Sequence, residues 1–285
     1  MLREESLELL AVGAGGFYVD GTVGMGGHAV EILTRSGPSG RLLGIDRDAD
    51  ALALARERLA GFGDRVRLHH GDYREIPELL DGEAADGILL DLGVSSLQLD
   101  TPERGFSFQR EGPLDMRMDQ SQGRTAADLV NRLREADLAD VIYRYGEERA
   151  SRRIARAIAH ARQRATIETT TELASIVRRA MGGRRRGQID PATRTFQALR
   201  IAVNSELEGL GAALVALSGC LKPGGRLVAI AFHSLEDREV KHTFKDMGRQ
   251  GFRLLTKKPV RPGENELSAN PRARSARLRA LEKAA

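Results

Sequence analysis

The chain has 285 residues, 41% hydrophobic and 29% charged, which is enough for a substantial core and allows about two domains. Lys+Arg 44 against Asp+Glu 40 leaves a net charge of only +4, so a polyanionic partner has to be sought in local clusters rather than in the total. Cys220 is the only cysteine, excluding an internal disulfide and a thiolate zinc cluster; residues 1–5 lack the apolar core of a signal peptide, and no apolar run approaches the roughly 20 residues that span a bilayer, so a cytoplasmic protein is expected.

Residues 4–10 predict a short helix and residues 17–20 a first strand. A glycine-rich turn, Asp20-Gly21-Thr22-Val23-Gly24-Met25-Gly26-Gly27-His28, leads into a helix over 27–35. Glycine tolerates positive φ and lets a ligand approach the backbone, and the unpaired N–H groups of a helix start suit an anionic group. The turn therefore reads as a cofactor seat. Strands follow at 41–46, 66–70 and 87–92, separated by helices at 49–59 and 76–80. This alternation predicts a parallel sheet with right-handed crossovers, whose ligands lie beyond the carboxyl ends of its strands. Those ends carry Asp20, Asp46, Asp72 with Tyr73, and Asp91.

The pattern breaks at residues 97–124, a long Gly-, Pro-, Asp- and Arg-rich stretch expected to be a functional segment or lid. Helices without strands follow at 126–134, 138–145, 147–165 and 171–181, and a long helix over 195–221 ends at Lys222-Pro223-Gly224-Gly225. A fifth strand is expected at 227–232, a helix at 236–247, and an antiparallel edge at 252–256 and 275–280. The chain thus divides into a sheet domain, 1–106 with 195–285, and an inserted helical substrate domain, 107–194.

Asp46 lies 22 residues beyond Gly24, where an acid can accept hydrogen bonds from ribose hydroxyls. NAD and S-adenosylmethionine both contain adenosine, so Asp46 does not separate a dehydrogenase from a methyltransferase. The terminal antiparallel hairpin and the acid at position 91, leading into Gly93-Val94-Ser95-Ser96, favour the methyltransferase variant. A non-catalytic RNA-binding assembly factor with a relic pocket is the third alternative.

Longer blocks carry a family resemblance. The glycine turn, Asp86-Gly87-Ile88-Leu89-Leu90-Asp91-Leu92-Gly93-Val94-Ser95-Ser96, Arg104-Gly105-Phe106-Ser107-Phe108, Gly112-Pro113-Leu114-Asp115-Met116-Arg117-Met118, Tyr145-Gly146-Glu147-Glu148 and Phe232-His233-Ser234-Leu235-Glu236-Asp237-Arg238 stand in the order of the RsmH (MraW) family of rRNA methyltransferases, which the chain resembles. It departs from the family in lacking the usual short opening segment, in Asp190 before Pro191-Ala192-Thr193, and in Asp72-Tyr73 after the third strand. The resemblance implies a Rossmann-like class I S-adenosylmethionine-dependent α/β sheet with an inserted all-helical domain. It implies methylation of the N4 amine of a 16S rRNA cytidine, conventionally position 1402, in the small ribosomal subunit, with S-adenosylmethionine as cofactor. By the same resemblance, Gly26, Gly27, His28, Asp46, Tyr73, Asp91 and Gln98 bind the cofactor.

For catalysis, Asp91 is the first candidate, either accepting a hydrogen bond from the cytosine amine or holding the cofactor's amino group; Ser95, Ser96 and His233 are secondary. Methylation at cytosine C5 uses a covalent thiolate, and Cys220, at a helix end, is a poor candidate, so attack by nitrogen fits better. The histidines show no metal spacing and no metal is expected. From Arg144 to Arg186 there are 12 arginines against four glutamates. Arg149, Arg153 and Arg156, opposite Ile154 and Ile158 on the 147–165 helix, and Arg184, Arg185 and Arg186 form the expected RNA phosphate track. Phe106 and Phe108 can either stack on a displaced base or anchor their loop. No membrane partner is expected, and a homodimer stays open.

Overall fold

The computed structural model describes residues 1–183 and 189–284. In chain order it forms α1 (Arg3–Leu10), β1 (Phe17–Asp20), α2 (Gly27–Arg35), β2 (Arg41–Asp46), α3 (Ala49–Leu59), β3 (Val66–His70), α4 (Ile76–Leu80) and β4 (Ala85–Asp91). Then come α5 (Ser96–Asp100), α6 (Ala126–Arg132), α7 (Glu135–Gly146), α8 (Ser151–Arg162), α9 (Thr170–Ala180), α10 (Ala192–Asn204) and α11 (Leu210–Gly219). The chain ends with β5 (Leu221–Ala231), α12 (Ser234–Met247), β6 (Phe252–Leu254), α13 (Glu264–Ala269) and β7 (Arg277–Lys283).

The seven strands of the described residues form one sheet in the order β3-β2-β1-β4-β5-β7-β6. β1 to β5 pair in parallel, and β7 inserts antiparallel between β5 and β6. The chain order reverses between β1 and β4, so the crevice beyond their carboxyl ends is the expected ligand position in such a sheet. This is the class I methyltransferase order, with the reversed hairpin that the terminal pattern had favoured. The central strands read as continuous apolar runs because both faces are covered: Val19, Leu43, Ile88 and Leu90 pack with the α11–α12 side, Tyr18, Leu42, Leu89 and Val228 with α1, α2 and α3.

The chain divides into two compact units, Met1–Gly93 with Leu207–Ala285, and Val94–Glu206. The second contains helices and irregular chain but no named strand among its described residues. Its bounds are wider than the 107–194 read from sequence. The added segments explain why: Val94, Leu99 and Phe106 on one side, Phe196 and Leu199 on the other, pack into the helical core with Ile142, Ile154 and Val177.

Three local expectations change. The long helix over 195–221 is two helices, because Ser205 adopts a left-handed conformation (φ 48°) and closes α10. There Asn204 turns its amide onto Met116 O and the Met118 N–H, while Arg200 clasps Glu206 through two bonds of 2.9 and 2.8 Å. The apolar period continues across the break and hides it. Lys222-Pro223-Gly224-Gly225 lies inside β5 as a bulge opposite Asp86 rather than at a helix end. The 147–165 helix shortens to α8, since Glu147 is left-handed (φ 48°), and this puts Arg149 in the preceding turn.

The long loop is stitched down within the helical unit and is not a free lid. Buried Arg104 donates to the carbonyls of Arg117 and Met118, the Met116 N–H donates to Arg104 O, and the Leu114 N–H to Glu168 O. Phe108 meets Phe196 edge-on at 4.6 Å and Phe106 is buried in the same core. Both rings therefore anchor the loop.

Gly146, at the α7–α10 crossing, gives a direct test. A Cβ there would lie 2.6 Å from the Arg194 carbonyl oxygen. Helix propensity alone favours Gly→Ala by about 1 kcal/mol, but backbone overpacking costs about 1–3 kcal/mol. Gly146→Ala is expected to lower the thermal midpoint; a midpoint raised or unchanged would show that the crossing is not this tight.

Candidate active site

The carboxyl ends of the three neighbouring strands β2, β1 and β4 carry Asp46, Asp20 and Asp91. The glycine turn is fastened to both flanking strands. The Gly21 N–H donates to Leu89 O at 2.9 Å and the Asp91 N–H to Thr22 Oγ at 2.6 Å, which ties it to β4. The Val23 N–H donates to Ile45 O at 2.9 Å and the Gly24 N–H to Asp46 Oδ2 at 2.7 Å, which ties it to β2. Asp46 Oδ1 also accepts the Asp48 N–H at 2.9 Å.

At Gly26 the backbone is left-handed (φ 80°), so glycine is required to start α2. No side chain caps the first turn of α2, and nothing lies within 4 Å of where a Gly27 Cβ would sit. Backbone donors at an open helix start are available to an anionic group.

The three acids sit in unusual surroundings. Asp20 is fully buried; its Oδ1 accepts the Thr22 N–H at 3.2 Å, and its Oδ2 has no hydrogen-bond partner among the described residues. Burial, reinforced by the charges of Asp91 and Asp46, raises its pKa to about 7. Asp46 is also raised by burial, against the pull of its backbone bonds. Asp91 Oδ2 lies 3.3 Å from the Met1 amino group and 3.9 Å from His28 Nδ1, while Oδ1 is buried without a hydrogen-bond partner among the described residues. His28 Nε2 contacts Met1 O at 3.1 Å. Burial lowers the His28 pKa more than Asp91 raises it. A neutral ring 3.9 Å away makes no real ion pair.

Tyr73 is buried in the core beneath the turn, its pKa pushed up to about 12 by burial, with the Arg74 guanidinium 5.1 Å from the ring centroid. Asp72 caps the following short helical turn through a reciprocal box with Glu75 and pairs with Arg47 at 3.2 Å. His233 caps α12: its Nδ1 accepts the Glu236 N–H at 3.3 Å and its Nε2 faces Glu236 Oε1 at 3.1 Å. That gives His233 a structural task at the end of β5. Ser95 and Gln98 lie in the helical unit, where they form the capping box of α5: Ser95 Oγ accepts the Gln98 N–H, and Gln98 Oε1 the Ser95 N–H.

So the structure gathers Gly26, Gly27, His28, Asp46 and Asp91 at one sheet edge. It adds Thr22, which had no role from sequence, and Asp20, which the sequence marked only as a strand-end acid. Glu236 was missed too; its signal is the box spacing from His233. Of the arginine track, Arg153 and Arg156 are exposed on α8 and Arg149 is exposed in the turn before it; Arg184, Arg185 and Arg186 lie outside the described residues. Cys220 stands at the amino end of β5, opposite the edge that gathers the acids, and burial raises its thiol pKa.

The model of the MraW methylase family matches residues 1–284. A ribosomal RNA small subunit methyltransferase H from Sorangium cellulosum is 53% identical over 286 residues, covering 99% of this chain and 90% of the relative. Namesakes from Pelobacter propionicus and Syntrophobacter fumaroxidans are 52% and 51% identical, each over 99% of this chain and 97% and 95% of theirs.

Asp20 makes stability depend on pH. An unfolded aspartate titrates near pH ~4, whereas the folded one holds its proton to about 7. Its contribution to stability is complete below pH ~4, shrinks as pH rises through that window, and is lost above the folded value. Asp20→Asn removes this loss, so its thermal midpoint should gain on the parent's between pH 5 and about 8. A difference that stays constant over that range would contradict the assignment.

Proposed function

This chain belongs to the MraW methylase family, and from that premise we propose that it is an S-adenosylmethionine-dependent methyltransferase acting on the N4 amine of a 16S rRNA cytidine, on the small ribosomal subunit in the cytoplasm. The observation that carries the cofactor assignment is the trio of strand-end carboxylates around an open glycine turn, with Asp20 Oδ2 and Asp91 Oδ1 both buried and without hydrogen-bond partners among the described residues. A buried carboxylate oxygen in that state calls for a charged donor. S-adenosylmethionine brings an ammonium and a sulfonium, and its carboxylate suits the uncapped start of α2. NAD would bring a pyrophosphate to the same acidic edge with no ammonium to offset it, which disfavours it.

Asp91 is assigned to the cofactor's ammonium, because a buried anion gains more from a charged donor than from a neutral cytosine amine. Asp46 holds the adenosine end: its carboxylate is already aimed by the Gly24 and Asp48 N–H groups and has lone pairs left for ribose hydroxyls. The backbone at Gly26 and Gly27 and the neighbouring His28 complete the cradle, and Tyr73 supports it from below; the resemblance adds Gln98.

The bound cofactor supplies an electrophilic methyl group. Transfer is an in-line displacement, so these residues act chiefly by alignment and by keeping water out. Ser95 Oγ and His233 Nδ1 each accept a backbone N–H, so both are better suited to holding the backbone than to taking a proton. A protonated, methylated cytosine amine is strongly acidic and needs no strong base to lose that proton. The lone thiol, at the wrong edge and held protonated, argues against addition to the cytosine ring and hence against C5 chemistry.

The helical unit supplies RNA contacts through Arg149, Arg153 and Arg156. Among the described residues Arg153 makes one hydrogen bond, to Met181 Sδ at 3.2 Å, and Arg156 meets Glu135 at 3.7 Å. Arginines at the start of α8 also oppose the helix dipole, a cost of a few tenths of a kcal/mol that an incoming phosphate reverses. Arg153→Ala should weaken RNA binding and reduce the slope of log affinity against log salt by about one unit; an unchanged slope would count against a phosphate contact.

The whole assignment is tested by mass-spectrometric mapping of methylcytidine in 16S rRNA from cells with and without the chain. Loss of one N4-methylcytidine, restored on complementation, is expected. An unaltered methylation pattern would overturn the proposal.

A further inference from the structure

Tyr143 is the one aromatic side chain among the strongly exposed large hydrophobic residues of the described structure; at 58% exposure it stands well clear of its surroundings. It makes no hydrogen bond and no ring contact with any described residue. It sits on the last turn of α7, whose inner face buries Leu138 and Ile142 in the same core as Ile154 and Ile158 of α8. Tyr143 and the α8 arginines therefore point away from a shared core. Around the short α7–α8 turn lie Arg144, Arg149 and Arg152, all exposed and without an acidic partner among the described residues. Of the acids beside this turn, Glu148 is buried and occupied by the Ala150 N–H and by Arg194, while Asp140 and Glu147 are exposed and pair with none of these three arginines.

More than half of Tyr143 stays in water. With exposed guanidinium groups around the same turn, it matches the pairing of stacking platform and phosphate contacts used on single-stranded nucleic acid. Resting on the rRNA methyltransferase reading above, we propose that the α7–α8 turn is a docking surface for unpaired RNA, on which Tyr143 stacks against a base while Arg144, Arg149 and Arg152 hold the adjoining phosphates. A base face is shared by all four nucleotides, so this surface grips single strands without reading their sequence. An acidic protein segment would engage the same arginines but would leave the ring without a stacking partner.

The test uses the full chain and two fluorescent probes of equal length, a mixed-sequence single-stranded RNA and the corresponding RNA duplex. Tyr143→Ala should weaken binding of the single strand by roughly tenfold, with an unchanged salt slope, and leave the duplex untouched. Tyr143→Phe should retain the single-strand affinity, which separates stacking from loss of fold. Equal affinities of Tyr143→Ala and the parent for the single strand would overturn the proposal, as would an equal loss on both probes. Failure of the phosphate reading is distinguishable, since it appears as an unchanged salt slope in Arg153→Ala whatever Tyr143 does. If the parent chain binds neither RNA but binds a polyglutamate peptide, the partner is protein and the proposal falls.

Discussion

Three aspartates at the ends of three adjacent strands, brought together by a turn that hydrogen-bonds to both neighbours, are the constraint on which the sheet unit depends. Folding forces these carboxylates out of water and towards one another, and the backbone satisfies them only in part. Asp46 is well supplied by the Gly24 and Asp48 N–H groups. Asp20 and Asp91 each keep one buried oxygen that no described residue's hydrogen bond serves. A fold evolved for stability alone would replace such groups with apolar residues of similar size, which is often neutral or favourable. Their retention makes sense when a cationic ligand completes the site.

The helical unit shows the opposite balance. Its core is apolar and closely packed, its long loop is pinned by Arg104 and Asn204, and its phenylalanines are used internally. On its surface, Arg149 and Arg152 have no acidic partner among the described residues, and Tyr143 is exposed. One unit thus leaves two buried carboxylate oxygens without hydrogen bonds among the described residues, and the other leaves surface guanidinium groups without acids. These are the requirements of a sulfonium cofactor and of a nucleic acid.

Much of this was legible in the sequence because it depends on local chemistry. Four glycines between an apolar run and an amphipathic run announce a strand–turn–helix, and the 22-residue spacing from Gly24 to Asp46 reappears as a direct hydrogen bond between them. The antiparallel edge expected at 252–256 and 275–280 is present as β6 and β7. Other features depended on tertiary contacts that leave no local mark. The break at Ser205 is made by Asn204 reaching more than eighty residues back to Met116 and Met118. Phe108 could equally stack on a base or anchor its loop, and only the edge-on Phe196 ring decides for the anchor. His233 offered a plausible proton acceptor, but a box with Glu236, three residues on, converts it into a helix cap. Asp20 shared its motif with the predicted cofactor residues, yet only burial reveals its altered acidity.

The central claim is that the acidic edge of the sheet binds a cationic, methionine-derived cofactor through Asp91. Calorimetric titration of S-adenosylmethionine into the parent protein and into Asp91→Asn tests it most directly. One molecule bound per chain, with affinity at least about tenfold weaker in the variant, is predicted from the loss of a charge-assisted bond. Equal affinity in the two proteins would contradict the account.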